Sequence, residues 1–556
     1  MTDEAGRDLL KIDERLFAAK QQVDIRNQEI ARYFYPERAD FLGTMEEDAE
    51  ICAHLMDAYP VRVRRELGDQ LGSMSRPSDR EWFKNTTSNP DINRRSDASG
   101  FLEFMTTVNR SILYSRDSGY VRAAKACEHD FSAFGMGWVQ CSYNRKRDNL
   151  LFRCHHPKLM VGEEGPDGNV WHVHRKADMT ARSMAYWFGE DKLPQKAKDA
   201  LRKNDDKTKF KLRHVFIPLE KYSPYRKFPA GAKWADVYVT EDGKILQELP
   251  SFTFDYIVPR WQMVSSFYAM SPATIIALPD ARMLQRMALA TIDGAEKSND
   301  PPIVAVEDAI VSPIDLGANG VTFLDAMYDE RLGPALRVLD LGKNPGVGFD
   351  TMQGVKASLA DAFYINKLSP MAAAQRSKTA YETSQIVSEY IRNALPLFEP
   401  IESEWCGATL ELVTEKVMRA GGYGPLDRNM IPVDMPESLL GANLTFEFNN
   451  SLKEARDRQT INAYHESVGL VAEASQLDPN IGAEIDLRKG FRDAFGAVPG
   501  GRSDWLVGDE EAVANRQAAA QAQQGQQQMQ ELGGVAALAE QGGNAAQAIQ
   551  GALANG

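Results

Sequence analysis

Two short histidine clusters have the residue types and spacing that could hold a metal ion: Cys154-His155-His156 and His172-Val173-His174. Alternate residues of a β-strand share a face, so His172 and His174 could ligate one zinc ion. The spacing matches no established zinc motif, however, and the chain contains no HExxH or CxxC pair. A metal-dependent enzyme stays open as an alternative, but the sequence favours ordinary surface or hydrogen-bonded histidines, with no metal and no cofactor.

Other catalytic signatures are missing. Gly346-Val347-Gly348 could suggest a phosphate-binding loop, but no GxxxxGK[ST] motif occurs in the chain. We expect these glycines to form a turn that leads into a helix. No Ser-His-Asp or Cys-His arrangement can be identified from spacing. The sequence therefore predicts a protein that is not an enzyme.

A short basic segment, residues 367 to 378, carries three cations and no anion: Lys367, Arg376 and Lys378. Pro370 interrupts it, so a loop is predicted. Thr379 and Glu382 follow at capping-box spacing, which predicts that a helix starts there, runs to Pro396 and resumes to Arg419. Three cations in twelve residues are also typical of a solvated surface turn, and both interpretations remain open from the residues alone.

Two one-sided helical patterns precede this loop. The first covers residues 273 to 298, and Pro301-Pro302 ends it because neither proline can donate a backbone hydrogen bond. Its apolar side carries Met283, Leu284, Met287, Ala288, Ile292 and Ala295, and its polar side carries Arg282, Gln285, Arg286, Asp293, Glu296 and Lys297. The second helix is predicted to begin at Asp350, an N-cap with Gln353 three residues later. It turns Met352, Val355, Leu359 and Phe363 inward.

The segment between the two helices reads as a small β insert. Strands are predicted at residues 303 to 306 and 321 to 324, separated by Ser312-Pro313 and by a turn at residues 317 to 320. The two helices with this insert and the basic loop form one ordered block, helix, insert, helix, loop.

The rest of the chain predicts an α+β body. An amphipathic helix is expected over residues 8 to 34, ending near Tyr35-Pro36. Strand-like runs follow at residues 138 to 143, 150 to 154 and 170 to 173, and another lies at 444 to 448. From Arg516 the sequence is rich in Gln, Ala and Gly and cannot build its own core, so disorder or a partial helix is expected.

Composition sets broad limits. The 556 residues, 43% hydrophobic and 26% charged, are enough for several domains. Five scattered cysteines suit a reducing compartment, and no secretory signal or membrane-spanning apolar run is present. The net charge of −14 argues against tight binding to nucleic acid, because that affinity comes from cations that neutralise phosphates.

Several short motifs occur in an order typical of one family. They are Leu67-Gly68-Asp69-Gln70-Leu71-Gly72 closing on Trp82-Phe83, Phe134-Gly135-Met136-Gly137, Asp167-Gly168, Met179-Thr180-Ala181-Arg182, residues 256 to 261, Ala277-Leu278-Pro279-Asp280 and Leu444-Thr445-Phe446-Glu447-Phe448. Together with the helix, insert, helix and loop, they make the chain resemble the podovirus head-to-tail connector family, the portal proteins of short-tailed bacteriophages. The resemblance covers most of residues 10 to 470. It departs from the family where Ala269, Met270 and Ser271 replace the usual glycines before the channel helix.

The resemblance implies an α+β multidomain portal fold that forms a ring of twelve copies. Its expected parts are an α+β wing (residues 1–270 and 379–450, the latter with a long helix and a strand), stem helices (271–300 and 349–366), a small β-containing clip (301–348), a channel loop (367–378), a helical crown (451–514) and a Gln/Ala/Gly-rich tail (515–556). Such a ring lies at one capsid vertex of the virion, where double-stranded DNA is packaged and later ejected. We expect its subunits to assemble in the host cytoplasm.

The resemblance also implies partners. Besides other copies of the chain, they are double-stranded DNA that passes through the channel without sequence preference, the major capsid protein, the scaffolding protein, the terminase large subunit, tail adaptor and nozzle proteins and, as a further option, internal core or ejection proteins; no membrane is involved. A mainly acidic channel would repel phosphates, with the loop cations as transient contacts, which reconciles the net charge with DNA transit. A scaffold or tail adaptor is the other alternative, and the length and element order disfavour it.

Residue roles follow from the same resemblance. We expect Lys367, Arg376 and Lys378 to contact DNA. The polar faces of the stem helices, turned toward the channel or solvent, would present Arg282, Gln285, Arg286 and Lys356. The clip residues expected to dock the motor and the tail are Pro301, Pro302, Asn319, Gly320 and Arg331.

Overall fold

The helices and strands are taken from a computed structural model of the chain. It describes residues 2–43, 51–77, 81–93, 95–144, 148–224, 227–263, 267–315, 320–325, 327, 329, 331, 333–339, 345–365, 401–427, 430–449, 451–474, 487–496, 498 and 518. The helices are α1 (Thr2–Phe34), α2 (Tyr59–Ser75), α3 (Pro90–Asn93), α4 (Ser96–Leu113), α5 (Tyr120–Phe134), α6 (Ala181–Phe188), α7 (Gln195–Arg202), α8 (Leu278–Asn299), α9 (Pro345–Ala362), α10 (Ala408–Arg419), α11 (Ser451–Ala474) and α12 (Leu487–Gly496).

Most strands belong to antiparallel sheets. They are β1 (Phe83–Thr87), β2 (Val139–Asn144), β3 (Asn149–Cys154), β4 (Met160–Glu164), β5 (Val170–Thr180), β6 (Lys209–Pro218), β7 (Trp234–Thr240), β8 (Ile245–Ser251), β9 (Tyr256–Ile257), β10 (Ile303–Ala305), β11 (Leu336–Val338) and β12 (Leu444–Phe448). The largest sheet has the order β4-β5-β6-β7-β8, and a smaller one has the order β3-β2-β9. Mixed helix and sheet agrees with the predicted α+β class.

The chain divides into two compact units. The first comprises Met1–Lys84, Met105–Asp434 and Phe446–Leu452, and the second comprises Asn85–Phe104, Met435–Thr445 and Lys453–Gly556. In the second unit, a Cβ atom on Gly490 of α12 would lie 3.1 Å from the ring of Tyr464 on α11. The glycine therefore lets these two helices approach closely.

In the first unit, the five-stranded sheet is covered on both faces. Because side chains alternate along a strand, Leu212 of β6 points to one face and Val215 to the other. Leu212 packs with Met184 and Phe188 of α6. Val215 packs with Leu9 of α1. Helix α1 therefore lies against the sheet for a physical reason, since its apolar stripe buries one complete face.

Helix α5 ends where only glycine fits. Gly135 has φ +77°, and its N–H donates to the carbonyl oxygen of Phe131 (2.9 Å), which closes the helix. A Cβ atom there would lie 2.5 Å from the backbone carbon of Met270. Gly135 therefore combines a left-handed backbone with a close approach of a second segment, and this accounts for the glycine in the Phe134-Gly135-Met136-Gly137 motif.

Buried ion pairs tie α5 to its neighbours. The guanidinium of Arg76, just after α2, lies 2.5 Å from the carboxylate of Glu128, and both side chains are buried. Arg38 pairs with the fully buried Asp130 at 3.0 Å. Burial raises the pKa of Asp130 to about 6, although Arg38 opposes that rise. Each charge is buried only together with a partner, because an unpaired buried ion is far more costly.

Several predicted elements are confirmed. Helix α1 ends at Phe34 before Pro36, and β2, β3 and β12 lie at or within one residue of the predicted runs. Strand β5 is much longer than predicted and reaches Thr180. The predicted helix from Thr379 to Pro396 lies outside the described residues. Its predicted continuation is present as a π-helical segment, Ile401–Gly407, followed by α10. No helix in the described part of the chain is long and apolar enough to cross a membrane.

We predict that Gly135→Ala destabilises the protein much more than Gly168→Ala. Both glycines have φ +77°, but a Cβ atom at Gly168 would meet no atom within 4 Å. Gly168→Ala should therefore cost only the left-handed strain, about 1–2 kcal/mol. Gly135→Ala adds a backbone clash of at least about 1–3 kcal/mol. Thermal unfolding of the two variants checks this, and equal melting temperatures would contradict it.

Candidate assembly and channel-forming region

Helices α8 and α9 form an antiparallel pair on either side of the insert. A π-helical turn, Ala273–Ala277, leads into α8, and Asp300 closes it before Pro301 and Pro302. The hydroxyl of Thr291 on α8 lies 3.7 Å from the sulfur of Met352 on α9. A Cβ atom on Gly348 would lie 3.0 Å from that same hydroxyl oxygen. The first turn of α9 therefore lies directly against the second half of α8.

The inward stripe of α9 is as predicted. Met352, Val355, Leu359 and Phe363 are all buried. The predicted start of the helix is wrong, because α9 begins at Pro345 and Asp350 lies inside it. Proline is well suited to a first helical position, since its φ is already helical and its missing N–H needs no partner there. Gly346, Val347 and Gly348 accordingly belong to the helix and not to a turn before it.

The apolar stripe of α8 is only partly inward. Leu284 and Ala288 are buried, whereas Met283 is 45% exposed and Ile292 is 43% exposed. A single chain therefore covers only part of the apolar side of α8. Met283 lies about 100° around the helix from Leu284, whereas Ile292 lies only about 40° from Ala288, so rotation around the helix accounts for the exposure of Met283 but not for that of Ile292.

A turn at Asp57 binds both helices of the pair. The side-chain oxygen of Gln285 on α8 accepts hydrogen bonds from the backbone N–H groups of Met56 (2.7 Å) and Asp57 (3.0 Å), and its side-chain nitrogen donates to the carbonyl oxygen of Asp57 (2.7 Å). Lys356 on α9 lies 2.7 Å from the Asp57 carboxylate. The same carboxylate accepts from the N–H of Tyr59 at the start of α2 (2.8 Å). This turn therefore fixes the position of α8 relative to α9 along the helix axes.

This geometry corrects the predicted position of Gln285. Its side chain is 8% exposed, so it does not face a channel or solvent but satisfies three backbone groups of the 56–57 turn. Lys356 is half-buried in its ion pair. A polar residue at a helix surface position looks the same in sequence whether water or another loop meets it, and no local signal distinguishes the two.

The two arginines of α8 differ. Arg282 pairs with Glu29 of α1 through its Nε (2.7 Å), and both side chains are exposed. Arg286 is exposed, and no ion pair joins it to another described residue. Of the four predicted stem residues, Arg286 is therefore the one whose charge the described chain leaves uncompensated.

The insert contains two short antiparallel pairings. Strands β10 and β11 pair with Ile303 opposite Val338, and the carbonyl oxygen of Pro302 accepts from the N–H of Leu339 (2.9 Å). The predicted strand at residues 321 to 324 is reduced to one bridge between Ile310 and Leu324. Pro313 and Gly320 lie between Ile310 and Leu324, and neither residue type favours a long strand ladder, which accounts for the short pairing.

Apolar side chains of this insert are exposed. Val311 is 70% exposed and Phe323 is 64% exposed, and the other large apolar residues of this kind are Val304, Val306, Ile314, Val321, Leu324, Met327 and Val338. So many exposed large apolar side chains within one short segment are typical of an interaction site.

The predicted clip residues have different positions. Pro301 and Pro302 join α8 to β10. Gly320 is exposed, and a Cβ atom there would lie 2.6 Å from the Asp315 carboxyl carbon, so the site requires glycine or a shifted Asp315. Arg331 is exposed, and its backbone N–H donates to the Asp329 carboxylate (3.0 Å). Asn319 lies outside the described residues, as do the three loop cations Lys367, Arg376 and Lys378.

The two histidine clusters lie on opposite faces of β5. His172 and His174 point toward α1, where His174 lies 3.1 Å from Asp13, and their Nε2 atoms are 2.7 Å apart. His155 contacts Arg175 and Gln140 on the other face, and His156 pairs with Asp40. Among the described residues, no group of three or more His, Cys, Asp and Glu could hold a metal ion. The alternative of a zinc ion at His172 and His174 therefore gains no support from the described residues.

Burial lowers the pKa of several of the described histidines. It holds the pKa of His172 and of His155 well below the ordinary value, with neighbouring positive charge adding to the effect. Burial also lowers the pKa of His129 and of His156 to about 4.

The chain was compared with known proteins. The family model described as bacteriophage head to tail connecting protein matches residues 7–500. A relative described as a probable portal protein, from Bordetella phage BPP-1, is 24% identical over 535 residues, covering 93% of this chain and 90% of the relative. The portal protein of Salmonella phage epsilon15 is 21% identical over 537 residues, covering 92% of each chain.

We predict that Gln285→Ala lowers the free energy of unfolding by about 1–3 kcal/mol. Three backbone groups of the 56–57 turn lose their hydrogen-bond partner, and because the site is mostly buried, water can replace that partner only in part. Gln353→Ala, a matched change of an exposed glutamine on α9, should stay within about 0.5 kcal/mol. Hydrogen exchange supplies the local measurement. The amides of Met56 and Asp57 should exchange faster in the first variant only, and unchanged exchange would mean that the turn is held by other contacts.

We predict that acid destabilises the fold between pH 6.5 and about 4. The unfolded chain binds protons on His129, His155, His156 and His172 near pH 6.5, whereas the folded chain binds them only at lower pH, so stability falls as the pH falls through this window. His214, whose pKa burial also lowers, adds to this loss. The raised pKa values of Asp24, Glu128, Asp130, Asp255 and Glu411 act in the opposite direction. Only Asp130 has a raised value of about 6, so the histidines dominate the upper part of the window. Melting temperatures at pH 7.0, 5.5 and 4.5 test this, and a constant or rising value would refute it.

Proposed function

This chain belongs to the bacteriophage head-to-tail connecting proteins, the portal family, and we propose that twelve copies form a ring at one capsid vertex through which double-stranded DNA enters and leaves. The observation that carries the proposal is the family match over residues 7–500 together with two portal relatives aligned over more than nine tenths of the chain. Portal proteins are structural proteins, so the proposed role needs no catalytic group. The ring would form in the host cytoplasm and remain at the vertex of the virion.

The parts of the ring are assigned by position in the chain. The wing would comprise residues 1–270 and 379–450 and meet the major capsid protein and the scaffolding protein. The crown, residues 451–514, would face the head interior with the tail, 515–556, where internal core or ejection proteins could contact it. In support of this division, the five-stranded sheet with its covering helices makes one well-packed body within 1–270.

The stem would consist of residues 271–300 and 349–366, which contain α8 and most of α9. Two features support this role. The pair is fixed in level by the Asp57 turn, and its outer faces carry exposed apolar and charged side chains that no described part of the chain covers. A helix pair whose inner faces are packed and whose outer faces remain exposed is suited to side-by-side packing in a ring.

The clip would be residues 301–348, which dock the terminase large subunit during packaging and the tail adaptor and nozzle proteins afterwards. Its exposed apolar surface supports this assignment, because large apolar surfaces of that kind bind other proteins. Pro301, Pro302, Gly320 and Arg331 would shape or border this surface, with Asn319 beside them in the sequence.

The channel loop, residues 367–378, would contact DNA through Lys367, Arg376 and Lys378. Sequence-independent contact with phosphates requires cations, and transit requires that the contacts be few and short-lived. The net charge of −14 supports this, since an acidic wall with three loop cations per copy repels DNA more than it holds it.

We predict that the purified full-length chain forms closed rings with a central hole wide enough for duplex DNA. Electron microscopy with class averages viewed along the symmetry axis measures the hole and the copy number, for which twelve or a neighbouring number is expected. Mass photometry of the same sample gives an independent copy number. Well-folded monomers or small closed oligomers in both measurements would overturn the proposed channel.

A further inference from the structure

Helix α9 presents a line of four exposed residues on the side opposite its buried stripe. The line is Asp350, Gly354, Ala357 and Asp361, with spacings of four, three and four residues that keep it on one face of a helix. A Cβ atom on Gly354 would meet no atom within 4 Å. The middle of the line is therefore open space, bounded at each end by a carboxylate.

Helix α8 presents a line with the same spacing. It consists of Arg286, Ala290, Asp293 and Lys297, all exposed. Cations stand at its two ends, eleven residues apart, as the carboxylates do on α9. When the two lines are placed antiparallel, Arg286 faces Asp361 and Lys297 faces Asp350. Ala290 then faces Ala357, and Asp293 lies against the open position at Gly354.

The two lines cannot meet within one chain. Gln285 and Lys356 both bind Asp57, and Thr291 lies against Met352. Within one chain, α8 and α9 are therefore aligned differently along their axes and pack through other faces. The matched arrangement is displaced from that level by six residues, about 9 Å at 1.5 Å per residue. The α9 line that fits α8 must therefore come from a second copy.

We propose that α8 of one copy packs antiparallel on α9 of the next copy, with Arg286 paired to Asp361 and Lys297 paired to Asp350. Ala290 and Ala357 then lie at the closest approach, and the open position at Gly354 accommodates Asp293, whose carboxylate lies 3.9 Å from Lys297 of its own helix. The proposal rests on the proposed ring and names its contact. Because each copy carries both lines, the contact is head-to-tail and repeats around a closed ring. The displacement of about 9 Å arises when the helix pairs are inclined to the ring axis, since an inclined neighbour is offset along the helix direction. Small side chains at the crossing let two helices approach closely.

Charge reversals test the contact on the full-length chain. Arg286→Asp and Asp361→Arg should each raise the concentration at which half of the copies are assembled by about tenfold or more, because a like-charge pair replaces an attraction at every contact. The double variant Arg286→Asp/Asp361→Arg should restore assembly. The mismatched double variant Arg286→Asp/Asp350→Arg should not, since those positions are not opposite each other. Arg202→Asp, a change of an exposed arginine on α7, controls for a general effect of charge.

A second variant separates assembly from folding. Gly354→Leu fills open space within the chain and replaces a helical glycine, so the melting temperature of the unassembled chain should stay the same or rise. It should nevertheless prevent ring formation, because the added side chain occupies the crossing. Mass photometry over a range of concentrations, with circular dichroism to verify the fold, measures both properties.

Each outcome decides something different. Rings in the unmodified chain, loss in the single reversals and recovery only in the matched double variant support the contact. Rings that persist in Arg286→Asp, or that the mismatched double variant restores equally well, overturn the contact and leave the ring standing. A folded unmodified chain that never assembles overturns the ring and the contact together.

Discussion

The turn at Asp57 is the constraint on which the helix pair depends. Its backbone is bound by Gln285, and its carboxylate binds Lys356 and the start of α2. An isolated pair of amphipathic helices could slide by one turn at little cost, because apolar contacts are non-directional. Hydrogen bonds with fixed donors and acceptors remove that freedom. The outer faces of α8 and α9 therefore have a defined level and rotation, which any repeating contact between identical copies requires.

The distribution of cations matters as much as their number. Lys20, Lys416 and Arg260 are buried and paired with Asp24, Asp255 and Glu164. Burial lowers the pKa of Lys20 to about 8, which shows that keeping its charge in the interior costs free energy. Cations fixed in this way hold the body together and cannot reach a phosphate. A net charge of −14, with some of the cations committed to the interior, suits passage of DNA better than tight binding.

Local patterns predicted the elements well, and contacts between distant segments decided where prediction failed. The inward stripe of α9, the end of α1 and the position of β12 follow from periodicity and proline, which act over a few residues. Gln285 was misplaced because its partners lie about 230 residues away in the sequence, and nothing near a glutamine reveals a distant turn. The start of α9 was misplaced for a local reason, since Pro345 outweighed a well-spaced capping box. Periodicity placed Met283 and Ile292 on the apolar side of α8, but it does not show whether the same chain covers that side, and both residues are exposed.

In the insert between α8 and α9, too, the sequence identifies apolar residues without showing what covers them. Two strands alone are marginally stable in water, and β10 pairs with β11 without a third strand among the described residues. The side chains that would form a core, such as Val311 and Phe323, are instead exposed. Their burial would stabilise the insert by about 25 cal/mol for each Å² of apolar surface removed from water, and a single chain lacks this stabilisation. We therefore expect the insert to become more stable if another protein surface covers it, because a partner that binds only the folded insert stabilises it by mass action.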